Sequence, residues 1–191
     1  KKSDKLQVFD NNKIHQDKNS LIEMLRSFYE YGYVIIENTK AEENEVINFA
    51  EKIGPVRTTN WGKLFNVVSK PNPNDLAYTA LELKSHSDNP YRKPVPGIQL
   101  LHCIANESTG GDSSLVDGFS VSQYLKENHH DFYEILTQTN VNFKFTDVDV
   151  ILENKSKLIE LDSDGNFKQI SFSGRLDYVS LLNDENLKIF Y

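Results

Sequence analysis

The chain has 191 residues, of which 38% are hydrophobic and 26% are charged, and its formal net charge is −7. This length allows one domain with a hydrophobic core, and the composition is typical of a globular chain rather than a disordered one. The acidic charge argues against nucleic acid or an anionic membrane as a partner, and no apolar run approaches the ~20 residues of a membrane span.

The cysteine content and the two ends of the chain lead to two further expectations. Cys103 is the single cysteine, so the chain cannot form an internal disulfide. A reducing compartment is the simplest interpretation, and we expect a cytoplasmic protein. Lys1 stands where a start methionine would be, and residues 187–191 resemble a helix cut midway. We therefore expect a fragment at both ends.

The N-terminal third predicts two helices with a strand between them. Ser20 and Glu23 form a capping box, and apolar residues at helical spacing then continue to Gly32. Residues 33–37 are a short apolar run that favours a buried strand. A second capping box precedes another amphipathic helix, which we expect to end at Gly54.

The rest of the chain predicts mostly strands. Short apolar runs separated by turns predict strands at 64–69, 76–83, 97–104 and 113–117. Ser120 and Gln123 predict a third helix, interrupted near His129. A meander is predicted to follow, with strands at 140–146, 157–161 and 167–172. Helices placed before an antiparallel core predict an α+β fold, mainly β, with a jelly-roll-like sandwich, and we expect a single domain over 1–191.

His86 and Asp88 are the residues that point most directly to chemistry. They are two positions apart, so on an extended strand both side chains leave the same face. One imidazole and one carboxylate are two of the three ligands of the 2-His-1-carboxylate site of non-haem Fe(II) oxygenases. The third ligand has no obvious candidate in the 191 residues.

The His-x-Asp spacing is weak evidence when taken alone. A second copy, His15 and Asp17, lies in a polar stretch without a strand and is interpreted as ordinary surface residues. His102 lies in an apolar run and could be a third ligand, but a buried, hydrogen-bonded core histidine is the favoured alternative.

Four blocks in fixed order place these residues in a wider pattern. They resemble the γ-butyrobetaine and trimethyllysine dioxygenases, which belong to the TauD/TfdA branch of the Fe(II)- and 2-oxoglutarate-dependent oxygenases. The blocks are 74–79 (NDLAYT), 86–91 (HSDNPY), 96–103 (PGIQLLHC) and 110–119 (GGDSSLVDGF). The resemblance extends from about Leu21 to Tyr191. It implies a double-stranded β-helix, the jelly-roll core of that family, preceded by N-terminal helices and incomplete at its C-terminus.

The resemblance also implies how the cofactors are bound. His86 and Asp88 would bind Fe(II), while a distal histidine and an arginine that pairs with 2-oxoglutarate would lie beyond Tyr191. Leu101 and Ser113 match positions that contact 2-oxoglutarate in relatives. Packing explains Leu101 equally well, and Ser113 could equally be a strand hydroxyl bonded to a neighbour.

Three aromatic residues and one acid are the candidates for binding a substrate. The resemblance implies that Trp61, Phe65 and Tyr78 form a cage for a trimethylammonium group, held by cation–π attraction. The alternative is that these rings belong to the core. Asp75 matches the trimethyllysine enzymes, whereas the butyrobetaine enzymes carry an amide there. A carboxylate could attract an α-ammonium group, so a trimethyllysine-like substrate is favoured at least as strongly as butyrobetaine.

The function predicted from the resemblance is hydroxylation of an unactivated C–H in a small trimethylammonium acid, of the carnitine-biosynthesis type, with O₂ as co-substrate. The alternative is a truncated, catalytically inactive jelly-roll module or a split-gene fragment. A jelly roll cut before its closing strands exposes unpaired edges, which favours association into a homodimer.

Overall fold

The chain divides into two units in the computed structural model, which describes residues 5–72, 78–79, 81–107, 109–174, 177–179 and 183–190. The first unit comprises residues 1–64 and 100–111, and the second comprises residues 65–99 and 112–191. The single domain expected over 1–191 stays a prediction.

The first unit is built from helices and one pair of strands. Its elements are β1 (Val8–Asp10), α1 (Asn11–Gln16), α2 (Lys18–Tyr31), β2 (Ile35–Glu37) and α3 (Glu45–Ile53). β1 and β2 pair in parallel, with Phe9 opposite Ile36. Ile14, Met24 and Phe49 form the buried centre, one from each helix. The strand predicted at 33–37 is thus present, but Ile35 and Glu37 are exposed rather than buried.

Helix α2 begins and ends at residues whose chemistry explains the boundaries. Asp17 is the N-cap, and its carboxylate accepts hydrogen bonds from the amides of Asn19 and Ser20. The predicted N-cap at Ser20 was wrong by three residues, because the Ser20 hydroxyl donates to Asp17 instead of capping the helix itself. Gly32 ends α2 as predicted, in the left-handed conformation (φ 79°) that glycine adopts readily. Asp17, from the second His-x-Asp copy, therefore has a structural role.

The second unit contains the larger sheet. Its elements are α4 (Gly118–Asn128), α5 (His130–Gln138), β3 (Asn140–Asp147), β4 (Val150–Lys157), β5 (Ile159–Leu161), β6 (Phe167–Ile170), β7 (Asp177–Val179) and α6 (Asp184–Phe190). β3 pairs antiparallel with both β4 and β7, while β5 and β6 form a separate antiparallel pair. Val141 and Phe143 of β3 are fully buried, as is Ile159 of β5.

The predictions for the C-terminal helices and strands agree with the structure better than those for the middle of the chain. The interruption of the third helix at His129 is confirmed, although α4 begins at Gly118 rather than Ser120, because Asp117 caps it. The strand predicted at 140–146 corresponds to β3. β4 was missed over most of its length because its sequence, rich in Glu, Asn and Lys, hides the alternation of half-buried and exposed positions.

The strands predicted at 64–69, 76–83, 97–104 and 113–117 were wrong for the residues that the structure describes there, none of which lies in a strand. An apolar run becomes a strand only when a neighbouring strand completes its hydrogen bonds. Large side chains in these segments are exposed, among them Val67, Leu81, Leu101 and Leu115. The described residues form three small sheets and no closed barrel, so the structure shows helices and short sheets rather than a complete jelly roll.

Among the helices that the structure describes, none combines the length and the apolar character needed to cross a bilayer.

Candidate functional site

His86 and Asp88 converge in the second unit. The Nε2 atom of His86 lies 3.1 Å from Oδ1 of Asp88. The two side chains are 28% and 36% exposed, so both can be reached from solvent. Although the segment is not a strand, the structure brings together the two donor atoms that the sequence singled out.

A backbone carbonyl determines which ring nitrogen of His86 is the hydrogen-bond donor. Nδ1 lies 2.7 Å from the Lys84 carbonyl oxygen, which can only accept a hydrogen bond, so Nδ1 carries a proton. A neutral ring then has its lone pair on Nε2, facing the Asp88 carboxylate. Two acceptor atoms at 3.1 Å repel each other unless a proton or a metal cation lies at the site.

The 3.1 Å contact fits an ion pair between a protonated His86 and Asp88, and it also fits two neighbouring ligands of one metal ion. An octahedral ion with bonds of about 2.1 Å holds neighbouring ligand atoms about 3.0 Å apart, close to the observed 3.1 Å. A ligand histidine commonly donates its other ring N–H to a backbone carbonyl, as His86 does to Lys84. The described residues contain no cluster of three or more His, Cys, Asp or Glu side chains suited to a metal. His86 and Asp88 therefore supply two donors, and no third such side chain lies with them among these residues.

The residues that follow the pair form a tight, buried turn. Asn89 adopts a left-handed conformation (φ 52°), which asparagine tolerates better than most residues. Its side-chain oxygen accepts a hydrogen bond from the Tyr91 hydroxyl at 2.6 Å. The Asn154 side chain, on β4, donates to the Pro90 carbonyl at 2.9 Å. The Tyr91 ring also stacks on Phe145 of β3. Sheet residues therefore hold the chain just beyond Asp88.

A cavity of about 400 Å³ adjoins Asp88 within the same unit. Its wall is formed by two segments: Ser87, Asp88, Val95, Pro96, Gly97 and Gln99 on one side, and Lys168, Gln169, Ile170 and Ser171 on the other. Lys168 and Gln169 both donate hydrogen bonds to the Glu160 carboxylate.

The predicted substrate residues differ in their surroundings. Tyr78 is partly buried, and the Lys70 ammonium lies 3.9 Å from the centre of its ring. Phe65 is 46% exposed and Trp61 is partly buried. Asp75 lies outside the described residues.

The predicted 2-oxoglutarate contacts lie on irregular segments. Leu101 is 75% exposed, so the alternative that it packs in a core does not hold in the structure. Ser113 is also exposed, and the segment around it is not a strand.

His102 differs from its expected environment. Both of its ring nitrogens are buried, yet neither has a hydrogen-bond partner in the described structure. The burial agrees with the predicted core histidine, whereas the predicted hydrogen bonds are not found among the described residues.

Sequence reasoning missed the residues that support the pair. Ser87 and Asn89 lie inside the His-Ser-Asp-Asn-Pro-Tyr block, so their proximity to His86 and Asp88 was a usable signal. Lys168 and Gln169 are about 80 positions away, and nothing in the sequence around them predicted that they line the cavity beside Asp88.

Comparison with known proteins gives one family and several relatives. The family described as "Taurine catabolism dioxygenase TauD, TfdA family" matches residues 3–185. A gamma-butyrobetaine dioxygenase from Pseudomonas sp. (strain AK-1) is 32% identical over 186 residues, which is 97% of this chain and 49% of that protein.

Two further relatives carry related names. The gamma-butyrobetaine dioxygenase of Homo sapiens is 37% identical over 152 residues, 78% of this chain and 39% of the relative. A trimethyllysine dioxygenase from Meyerozyma guilliermondii is 35% identical over 113 residues, 59% of this chain and 28% of the relative. The chain spans at most about half the length of these curated relatives.

Proposed function

Because the chain belongs to the TauD, TfdA dioxygenase family, we propose that the whole protein is an Fe(II)- and 2-oxoglutarate-dependent dioxygenase. The relatives are named dioxygenases, and most of this chain aligns with them. The observation that carries the proposal is the His86–Asp88 pair, whose donor atoms are 3.1 Å apart, as two neighbouring ligands of one ion would be. In this proposal the complete fold is the jelly roll of the family.

In this proposal His86 would bind the metal through Nε2 and Asp88 through Oδ1. The Lys84 carbonyl keeps the proton on Nδ1 and so leaves the Nε2 lone pair free for the ion. A bound ferrous ion would activate O₂, which is the oxidant for an unactivated C–H, and oxidative decarboxylation of 2-oxoglutarate to succinate and CO₂ would supply the other two electrons. Leu101 and Ser113 are the proposed contacts to 2-oxoglutarate, and the third metal ligand and the arginine are expected outside the 191 residues.

The proposed substrate is a small acid that carries a trimethylammonium group, as the relatives' names indicate. Trp61, Phe65 and Tyr78 would surround the cation. Tyr78 already has the Lys70 ammonium over its ring at 3.9 Å, which supports its ability to hold a positive charge. The cage would fix the cationic end and so set which C–H lies near the iron.

Asp75 is the proposed selector between two substrates. A carboxylate attracts the α-ammonium of a trimethyllysine-like compound and repels the free carboxylate of butyrobetaine. We therefore expect Asp75→Asn to shift the preference toward butyrobetaine.

Turnover by the full-length protein tests the proposed activity. The protein is incubated with Fe(II), 2-oxoglutarate and either trimethyllysine or γ-butyrobetaine, and succinate and the hydroxylated product are quantified by mass spectrometry. We expect stoichiometric succinate and product with at least one compound, and loss of both in His86→Ala. Equal inactivity on both compounds would overturn the proposed substrate class and favour the inactive-module alternative.

A further inference from the structure

Ser87, between the two proposed ligands, joins two segments that are 85 residues apart in the chain. Its N–H donates to the Phe172 carbonyl at 2.7 Å. Its hydroxyl accepts from the Phe172 N–H at 2.9 Å and donates to the same carbonyl at 3.2 Å. Three hydrogen bonds thus link this serine to one peptide segment just beyond β6.

We propose that Ser87 is a positioning residue for the metal pair, an inference that rests on the function proposed above. The Cα atoms of His86 and Asp88 are each one planar peptide, about 3.8 Å, from that of Ser87. Because Ser87 is held by both its backbone and its side chain, the positions of the Cα atoms of His86 and Asp88 are restricted as well. Metal ligands must be kept within about 0.5 Å of their productive positions, so such a restraint affects affinity directly.

The surroundings of the pair explain why this restraint matters. Residues 86–88 lie in neither a helix nor a strand, so regular backbone hydrogen bonding does not hold them. The Asn154–Pro90 hydrogen bond holds the chain two residues beyond Asp88, and Ser87 supplies a restraint between the two ligands. Any residue except proline could supply the N–H bond. The hydroxyl bonds are what the serine adds.

The link also joins the metal pair to the wall of the cavity. Phe172 directly follows Ile170 and Ser171, which line the cavity beside Asp88. Ser171 is itself held by a hydrogen bond from its N–H to the Leu158 carbonyl at 2.9 Å. The Ser87 hydroxyl therefore fixes the ligands relative to the surface against which a small molecule would lie.

The test uses the full-length protein with Ser87→Ala, Ser87→Thr and, as a control, Ser163→Ala in an exposed turn. Co²⁺ affinity is measured by calorimetry on metal-free protein, together with the ligand-field spectrum of bound Co²⁺. We expect Ser87→Ala to weaken Co²⁺ binding about tenfold and to change the spectrum. Ser87→Thr keeps the hydroxyl and should stay within about threefold of wild type. Ser163→Ala should leave both readouts unchanged.

Amide hydrogen exchange of Phe172 in the metal-free protein tests the link separately. Ser87→Ala should accelerate this exchange, because the Phe172 N–H loses its acceptor. If Ser87→Ala does not fold, Ser87→Cys takes its place with the same expected loss, since a thiol accepts only weakly.

The outcomes separate the two proposals. Unchanged Phe172 exchange, or faster exchange with wild-type Co²⁺ affinity, would overturn the positioning role and leave the proposed function intact. Wild-type protein that shows no His86-dependent Co²⁺ binding would overturn the proposed function, and the positioning role with it.

Discussion

At the scale of single residues, the aromatic side chains of the proposed substrate site would determine which cation is recognised. Tyr78 already contacts one cation, the Lys70 ammonium, and the backbone N–H of Lys70 donates to the Tyr78 carbonyl at 3.0 Å. This backbone bond keeps the lysine beside the ring. Because a cation over an aromatic face gains about 0.5–2 kcal/mol, Lys70 and a trimethylammonium group would compete for the same face of Tyr78.

Replacing Lys70 tests that competition. In Lys70→Gln, KM for a trimethylammonium substrate should fall about twofold to threefold, because the ring face no longer holds an internal cation. Lys70→Arg keeps a cation over the ring and should leave KM near the wild-type value. Steady-state succinate formation gives KM for all three proteins. An unchanged KM in Lys70→Gln would show that the substrate does not use this face.

Trp61 gives the second residue-scale prediction. Removing the indole in Trp61→Ala should raise KM about twofold to thirtyfold, because one cation–π contact is lost. Trp61→Phe keeps an aromatic face and should recover most of the loss. The Trp61 contact to Thr59 runs through the backbone N–H, so neither substitution removes it. Unchanged KM in a folded Trp61→Ala protein would assign Trp61 to packing alone.

At the scale of elements, aspartate caps determine where helices α1, α2 and α4 begin. Asp10, Asp17 and Asp117 each accept hydrogen bonds from two backbone amides of the first turn. These bonds stabilise the charged carboxylate. The pKa of Asp117 is lowered, and the largest cause is the hydrogen bond from the Ser120 hydroxyl. The backbone amides of Ser120 and Phe119 lower it further.

The Asp117 cap should contribute stability that depends on pH. Asp117→Ala should reduce the free energy of unfolding by about 1 kcal/mol at pH 7, while Asp117→Asn should lose much less because an amide oxygen still caps the helix. Because the pKa of Asp117 is lowered in the folded state, its charge adds to the free energy of unfolding above the ordinary aspartate pKa. This contribution is lost as the pH falls through the folded-state pKa. The free energy of unfolding, measured with urea, should therefore differ less between wild type and Asp117→Ala at pH 3 than at pH 7. A difference that grows at pH 3 would contradict this account.

Local chemistry also explains which elements the sequence could predict. Gly32 and Gly54 end helices where the sequence places them, because a helix end depends on residues within one turn. The starts of α2 and α4 were misplaced because Asp17 and Asp117, each three residues before the predicted serine cap, accept hydrogen bonds from the backbone amide and the hydroxyl of that serine. The missed strand β4 shows a different limit, since its pairing with β3 depends on residues outside the strand.

At the scale of the whole molecule, the proximity of His86 and Asp88 was predictable, whereas their surroundings were not. The two residues are only two positions apart, so the chain keeps them near each other although the segment is not the strand that was expected. Phe172 and Lys168 reach the site through the β5–β6 hairpin, about 80 residues away, and only tertiary structure brings them to Ser87 and the cavity. The predictions of strands in the middle of the chain were wrong for the same reason, because an apolar run does not indicate which strand completes its hydrogen bonds.

An anaerobic equilibrium titration of the metal-free, full-length protein with Fe(II) tests the metal pair most directly. The wild-type protein should bind one equivalent, and His86→Ala and Asp88→Ala should each weaken binding by at least about a hundredfold. The second His-x-Asp copy provides the matched control. His15→Ala and Asp17→Asn should bind like wild type, because His15 is exposed and Asp17 caps α2. Wild-type affinity in both His86→Ala and Asp88→Ala would contradict the account.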